Sequence, residues 1–96
     1  MIDKKYLQKA IDLWGLDSQL DMLTEECGEL ISAVNKFKRS RIEQEKLAQE
    51  IVDVELMCMQ IKEIIDSDVY ESILKYKVER FINLLHESEN ERINNG

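Results

Sequence analysis

Residues that shape tight turns are scarce in this chain. Proline is absent, and the three glycines lie at positions 15, 28 and 96 of the 96 residues. Because short β-hairpins depend on glycine, proline and asparagine-glycine turns, the sequence argues against an all-β fold. Leucine, isoleucine, glutamate, lysine and glutamine predominate, and these residues favour helices. The sequence therefore predicts an all-α fold.

Long apolar runs are also missing. No stretch approaches the roughly 20 apolar residues that a membrane-spanning helix needs, and residues Met1–Lys5 lack the apolar core of a signal peptide. The two cysteines, Cys27 and Cys58, are too few for a disulfide framework. We therefore expect no contact with a membrane, a cytoplasmic location, and two reduced thiols in the core of the protein.

Basic residues are fewer than acidic residues in this chain. Thirteen Lys and Arg against twenty Asp and Glu give a net charge of −7. A chain of that charge has no general attraction to DNA, RNA or anionic lipids, so we expect no nucleic-acid polymer as partner. If the protein binds phosphate groups, another source of positive charge is required. The single histidine, His86, also argues against a di-iron bundle built on Glu-x-x-His pairs.

Apolar residues recur at helical spacing in four segments of the chain. The first segment spans about 2–14 and ends at Gly15, a typical helix stop. The second begins at a cap that either Asp17 or Ser18 provides. It ends in a basic cluster at Lys36–Arg39, where cations favour a helix C-terminus.

One short polar stretch separates the second segment from the third, and another separates the third from the fourth. A capping box at Ser40–Glu43 opens the third segment. Asp66–Asp68 ends it, and the cap of the fourth lies within Asp68–Glu71. We expect one domain over residues 1–96, with a frayed polar end from about 89 to 96. The predicted architecture is a four-helix, bundle-like fold whose two central helices are antiparallel.

The third segment is apolar on two sides. Val52, Leu56 and Met59 form a second row, opposite the row that contains Val54. A helix that is apolar on two sides is buried on two sides, and a chain of this length offers only a small core. We therefore expect a homo-oligomer, either a dimer or a tetramer, whose second subunit covers this row. The alternative is that the first or fourth segment covers it.

Two acidic pairs lie on the two central segments. Glu26 and Glu29 belong to the second segment, and Glu50 and Asp53 belong to the third. The members of each pair are three residues apart, so each pair shares one helix face. Glu29 and Glu50 are equally far from the predicted turn, and so are Glu26 and Asp53. In an antiparallel hairpin the four carboxylates therefore lie at one level.

The position of Glu50 favours a bound cation. It falls within the apolar stripe of its helix, where a carboxylate is costly unless it is paired. We find no Lys or Arg at the same level of either helix to pair with it. Gathered carboxylates either acquire raised pKa values or bind a cation. Because the ligands are oxygens without His or Cys, we expect Mg²⁺, with Mn²⁺ as the second choice. The alternative is that these acids form a solvated face.

The two acidic motifs resemble the signature of the MazG-like family of all-α nucleoside triphosphate pyrophosphohydrolases, which is Glu-Glu-x-x-Glu on one helix and Glu-x-x-Asp on the next. The chain has Glu25-Glu26-Cys27-Gly28-Glu29 and, after twenty further residues, Glu50-Ile51-Val52-Asp53. The resemblance covers about 14–65. It implies a MazG-type fold and Mg²⁺-dependent hydrolysis of a nucleoside triphosphate, either a deoxynucleotide or a non-standard one, to the monophosphate and pyrophosphate. Such an activity cleans the nucleotide pool.

The resemblance also implies roles for individual acidic residues. Glu26, Glu29, Glu50 and Asp53 would be the Mg²⁺ ligands, and Glu25 would be an auxiliary carboxylate that positions water. Catalysis would then depend most directly on Glu25 and Glu50.

Candidate substrate contacts are basic or aromatic. Lys36 lies two turns beyond Glu29 on the same face and could reach a phosphate tail. Lys77 and Arg80 loosely match a basic stretch near an aromatic residue in the family, and Trp14 is a candidate for the base slot. Each also fits as a surface charge or a core residue. Two rival functions stay open: a non-catalytic acidic helical scaffold or regulator, and a related pyrophosphohydrolase for another nucleotide derivative, such as phosphoribosyl-ATP.

Overall fold

The regular structure of the protein is entirely helical. The computed structural model describes residues 2–95, and no strand occurs within that range. The four helices are α1 (Lys4–Trp14), α2 (Leu16–Lys38), α3 (Gln44–Lys62) and α4 (Ser67–Asn95). The predicted all-α fold with four helices is therefore confirmed. Across residues 2–95, no helix combines the length and the apolar character that crossing a membrane requires.

The chain divides into two compact units between Ile64 and Ile65. The first unit contains α1, α2 and α3, and the second contains α4, in which no described residue is buried. The single domain that the sequence predicts over residues 1–96 stays a prediction. Helix α4 continues to Asn95, through the end for which the sequence predicts fraying.

Gly15 both ends α1 and begins α2. Its φ of 89° and ψ of 143° lie in a region that only glycine adopts readily, and its N–H donates to the carbonyl of Ile11 at 2.9 Å. The expected stop at Gly15 is confirmed. The expected side-chain cap is wrong, because α2 begins directly at Leu16 without one. Asp17 and Ser18 therefore lie inside the first turn of α2.

Residues 39–43 connect α2 to α3. Ser40 adopts a left-handed conformation, with a φ of 57°, and its N–H donates to the carbonyl of Phe37 at 2.9 Å. The N–H of Arg41 donates to the carbonyl of Lys36 at 2.8 Å. These bonds satisfy the last carbonyls of α2 while the chain reverses. A connection this short favours the antiparallel arrangement that the sequence predicts.

The caps of α3 and α4 differ from those expected. The predicted capping box is wrong, because Ser40 lies in the turn and Glu43, which precedes α3, makes no side-chain cap. At α4 the cap is Asp66, whose Oδ1 accepts from the N–H groups of Asp68 at 2.9 Å and Val69 at 3.2 Å. The predicted cap at Asp68 is therefore two residues too late, since Asp66 already satisfies the free N–H groups there.

The buried face of α3 is centred away from the predicted apolar stripe. Its buried residues are Glu50, Met57 and Gln60, which recur at seven and three residues and so share one side. Cys58 lies about 100° from Met57 around the helix and is exposed, so the expectation that it is a core residue is wrong. Cys27 is half-buried, and both thiols are free.

The second apolar row of α3 is open. Val52 is 57% exposed and Leu56 is 39% exposed. Met59 is half-buried, and Ile2 lines a cavity together with the row, so the first segment leaves Val52 and Leu56 exposed. Buried apolar residues are few in the described chain: Leu7, Ala33 and Met57. The first unit therefore has a thin core.

Replacing Gly15 and Gly28 separately with alanine tests these backbone positions. Gly15→Ala should lower the free energy of unfolding by about 1–3 kcal/mol, because alanine is strained at a φ of 89°. Gly28 lies inside α2 with open space around the position of a Cβ. Gly28→Ala should therefore raise the free energy of unfolding by about 1 kcal/mol. Urea unfolding followed by circular dichroism measures both, and an unaffected Gly15→Ala protein would contradict the junction described here.

Candidate metal centre

Three carboxylates meet where α2 lies beside α3. One oxygen atom from each of Glu26, Glu29 and Glu50 lies within 4.8 Å of the other two. Glu26 and Glu29 are neighbours along one face of α2, because three residues make nearly one helical turn. The five-residue connection returns the chain so that Glu50 reaches the same level. We refer to these three residues as the carboxylate triad.

Asp53 lies beside the triad. It is exposed and does not belong to the group whose oxygens lie within 4.8 Å of one another. Its charge is nevertheless close enough to contribute to the raised pKa of Glu26. The structure therefore places three of the four predicted ligands close together. The fourth, Asp53, lies about one turn further along α3.

Glu50 is the most buried member of the triad. The residue is 5% exposed, as its inward position in the sequence predicts. Its Oε2 atom is buried and has no hydrogen-bond partner among the described residues, and the same is true of Oε2 of Glu26. A buried carboxylate oxygen without a partner is costly. Two such oxygens at the triad are suited to a cation with oxygen ligands.

Lys46 partly neutralises the triad. Its Nζ atom lies 2.8 Å from Oε1 of Glu50, and its side chain is 56% exposed. The expectation that no Lys or Arg reaches this level is wrong, because residues four apart on a helix lie on one face and a lysine side chain spans the turn between them. The sequence feature that indicates this ion pair is the i,i+4 spacing of Lys46 and Glu50.

Burial and neighbouring charges shift the pKa values of two residues at the site. Burial raises the pKa of Glu26 above its usual value, and the charge of Glu29 raises it further, followed by smaller effects of Asp53 and Glu50. The hydrogen bond to Glu50 and the charge of that residue raise the pKa of Lys46. The raised pKa of Glu26 is the effect that the sequence predicts for gathered carboxylates.

A cavity of about 280 Å³ opens beside the triad. Glu29 and Glu50 line it together with two lysines, Lys36 and Lys46. The predicted phosphate contact at Lys36 therefore borders the same space as two of the predicted metal ligands. Acidic groups that can hold a metal and ammonium groups that can face an anion share one cavity.

Two other predicted site residues of the first unit, Glu25 and Trp14, do not line this cavity. Glu25 is exposed on α2, next to Glu26 but outside the triad. Trp14, at the end of α1, is 60% exposed. Lys77 and Arg80 are exposed on α4, in the second unit. Their assigned roles in substrate binding and water positioning stay predictions.

Compared with protein-family models, with curated proteins and with solved structures, the chain matches none of them. The resemblance to the MazG-like family therefore depends on the two acidic motifs of the chain.

The raised pKa of Glu26 predicts a stability that falls with rising pH when metal is absent. A carboxyl group whose folded-state pKa lies above its ordinary value of 4.5 holds more protons in the folded state. Its stabilising contribution is complete below that value and is lost as the pH rises through the folded-state pKa. Glu26→Gln should remove this loss, so the variant should be more stable than the wild type at neutral pH and equally stable in acid.

Melting temperatures measured in EDTA from acid to neutral pH test the prediction. Glu25→Gln, which removes the neighbouring exposed carboxylate, is the matched control and should not show the same pH-dependent gain. If Glu26→Gln raised the melting temperature by the same amount at every pH, the raised pKa of Glu26 would not be the cause.

Proposed function

We propose that the protein hydrolyses a nucleoside triphosphate to the monophosphate and pyrophosphate, with Mg²⁺ held by Glu26, Glu29, Glu50 and Asp53. The observation that supports this most strongly is the buried Oε2 of Glu50, a member of the carboxylate triad, which has no hydrogen-bond partner among the described residues. The two acidic motifs, which resemble those of the MazG-like family, supply the choice of reaction. Mn²⁺ is the expected substitute ion.

Different residues of the site would have different roles in the proposed reaction. Glu26, Glu29 and Glu50 would hold the ion through carboxylate oxygens, and Asp53 would complete the ligand set. When bound, Mg²⁺ supplies charge neutralisation and lowers the pKa of a water molecule that can attack the α phosphorus. Glu25, one residue from the triad, would position that water. Phosphoryl chemistry needs mainly such positioning and charge compensation.

The phosphate tail would lie in the cavity beside the triad. Lys36 and Lys46 on its wall supply positive charge, which the acidic chain as a whole lacks. Trp14 is the proposed contact for the base, since its exposed ring offers a surface for stacking. Lys77 and Arg80 are proposed as further phosphate contacts. The substrate would be a deoxynucleoside or non-standard triphosphate, and the role would be cleaning of the cytoplasmic nucleotide pool.

Pyrophosphate release from a nucleotide panel tests the activity. The wild type should release pyrophosphate only when Mg²⁺ is present, and Glu50→Gln should lower the rate by about a hundredfold or more, since it removes a central ligand. Glu55→Gln changes an exposed glutamate of the same helix and should retain activity. Equal rates for the wild type and Glu50→Gln would contradict the site assignment.

The same panel separates the rival functions. Phosphoribosyl-ATP belongs in it, and hydrolysis of that compound alone would identify a related pyrophosphohydrolase. Calorimetry that shows no binding of Mg²⁺ to the wild type, together with no pyrophosphate release, would favour an acidic helical scaffold or regulator instead.

We further propose that the protein is a homo-oligomer, a dimer or tetramer. The support is the contrast, within residues 2–95, between three buried hydrophobic residues and many exposed ones, among them Val52 and Leu56 of the second apolar row of α3. Burial of that row against a second subunit would remove apolar surface from water at about 25 cal/mol per Å². The thin core of the first unit makes such a contribution important.

Size-exclusion chromatography with light scattering tests the assembly. Leu56→Gln should shift the wild-type oligomer towards the mass of one chain, because it places an amide in the proposed apolar contact. Ile93→Gln removes a more exposed apolar side chain near the end of α4 and serves as the control. A wild type that elutes with the mass of one chain at micromolar concentration would contradict the proposal.

A further inference from the structure

The ion pair between Lys46 and Glu50 lies at the carboxylate triad itself. Nζ of Lys46 is 2.8 Å from Oε1 of Glu50, and Glu50 is the triad member that is buried. The ammonium group therefore already occupies one of the two oxygens that Glu50 could offer to a metal ion. The other oxygen, Oε2, has no hydrogen-bond partner among residues 2–95.

The two ends of this ion pair differ in their freedom to move. Glu50 is enclosed, whereas 56% of the Lys46 side chain is exposed to water. Lysine carries its charge on a flexible four-carbon stem, so Nζ can leave Glu50 without any movement of α3. The cavity that Lys46 lines beside the triad provides a place for the released ammonium group.

A divalent ion and the ammonium group would compete for the same carboxylate. One oxygen of each triad residue lies within 4.8 Å of the other two, and Nζ of Lys46 is 2.8 Å from Oε1 of Glu50, so an ion held by the triad would lie close to this ammonium group. Like charges at such a separation repel strongly where water is partly excluded. Only one of the two positive groups can be well placed beside Glu50.

We propose that Lys46 is the internal counter-ion of the metal-free site, and that the Lys46–Glu50 ion pair and a bound divalent ion exclude each other. The inference rests on the metal site of the proposed function and adds an exchange step to it. In the metal-free protein, Lys46 offsets the repulsion between the carboxylates. When the ion binds, the ammonium leaves Oε1 of Glu50 and moves into the cavity that Lys36 also lines.

Lys46→Met tests this exchange, because it removes the charge and keeps an unbranched side chain. Calorimetry should show that the variant binds Mg²⁺ about twofold to fivefold more tightly than the wild type, since no ion pair has to be broken first. In EDTA the variant should melt at a lower temperature than the wild type. Lys9→Met, at an exposed position of α1, is the matched control and should change neither quantity.

Nitrogen NMR of the lysine ammonium groups follows the ion pair directly in the wild type, with Lys46 assigned by its absence in Lys46→Met. At saturation with Mg²⁺, the Lys46 signal should move to the position of exposed lysines such as Lys9. Lys46→Gln repeats the affinity and melting measurements with a second neutral side chain if Lys46→Met does not fold.

The outcomes separate this inference from the proposed function. If Mg²⁺ binds but the Lys46 signal keeps its metal-free position, or if both neutral variants bind Mg²⁺ no more tightly than the wild type, the exchange is overturned and the metal site stands. If neither the wild type nor the neutral variants bind Mg²⁺, the exchange and the proposed metal site fail together.

Discussion

The buried carboxylate of Glu50 is the interaction on which the site depends. Removing a carboxylate from water is costly, and the protein meets that cost in part through the 2.8 Å ion pair with Lys46. The second oxygen, Oε2, has no partner within the described chain. The chain thus places an incompletely satisfied negative charge at the contact between α2 and α3. A purely structural role would be served better by an apolar residue, since replacing buried ion pairs with apolar groups is often neutral or stabilising.

The backbone that holds this charge is assembled from short-range features. The connection at 39–43 brings the acidic motif of α3 back to the level of Glu26 and Glu29. The buried polar residues Gln19 and Gln60 accompany Glu50 in the first unit, whose buried apolar residues within the described range are Leu7, Ala33 and Met57. Much of the interior is therefore polar. A small helical unit of this kind gains little from apolar burial alone.

Periodic features of the sequence predict much of this structure. Regular spacing is enough to predict four helices, the stop at Gly15, the inward position of Glu50 and its approach to Glu26 and Glu29. The helix caps are harder to predict, because Asp66 and Asp68 are chemically identical candidates and only the positions of the free N–H groups distinguish them. The orientation of α3 is harder still, since a helix with two apolar rows gives no single inward face, and its buried face includes the polar Gln60. The ion pair of Lys46 is also hard to predict, because the position of a long, flexible side chain depends on the carboxylate it meets in three dimensions.

The junction at Gly15 has a consequence for how the chain can vary in length. One residue serves as the end of α1 and the start of α2, and its backbone conformation is open mainly to glycine. An inserted residue there would have no loop to absorb it and would displace Leu7 from the core. The connection at 39–43 is longer and lies at the surface, where added residues cost little chain entropy. Related sequences should therefore vary in length between α2 and α3, while the spacing from Leu7 to Glu26 and Glu29 on α2 stays constant.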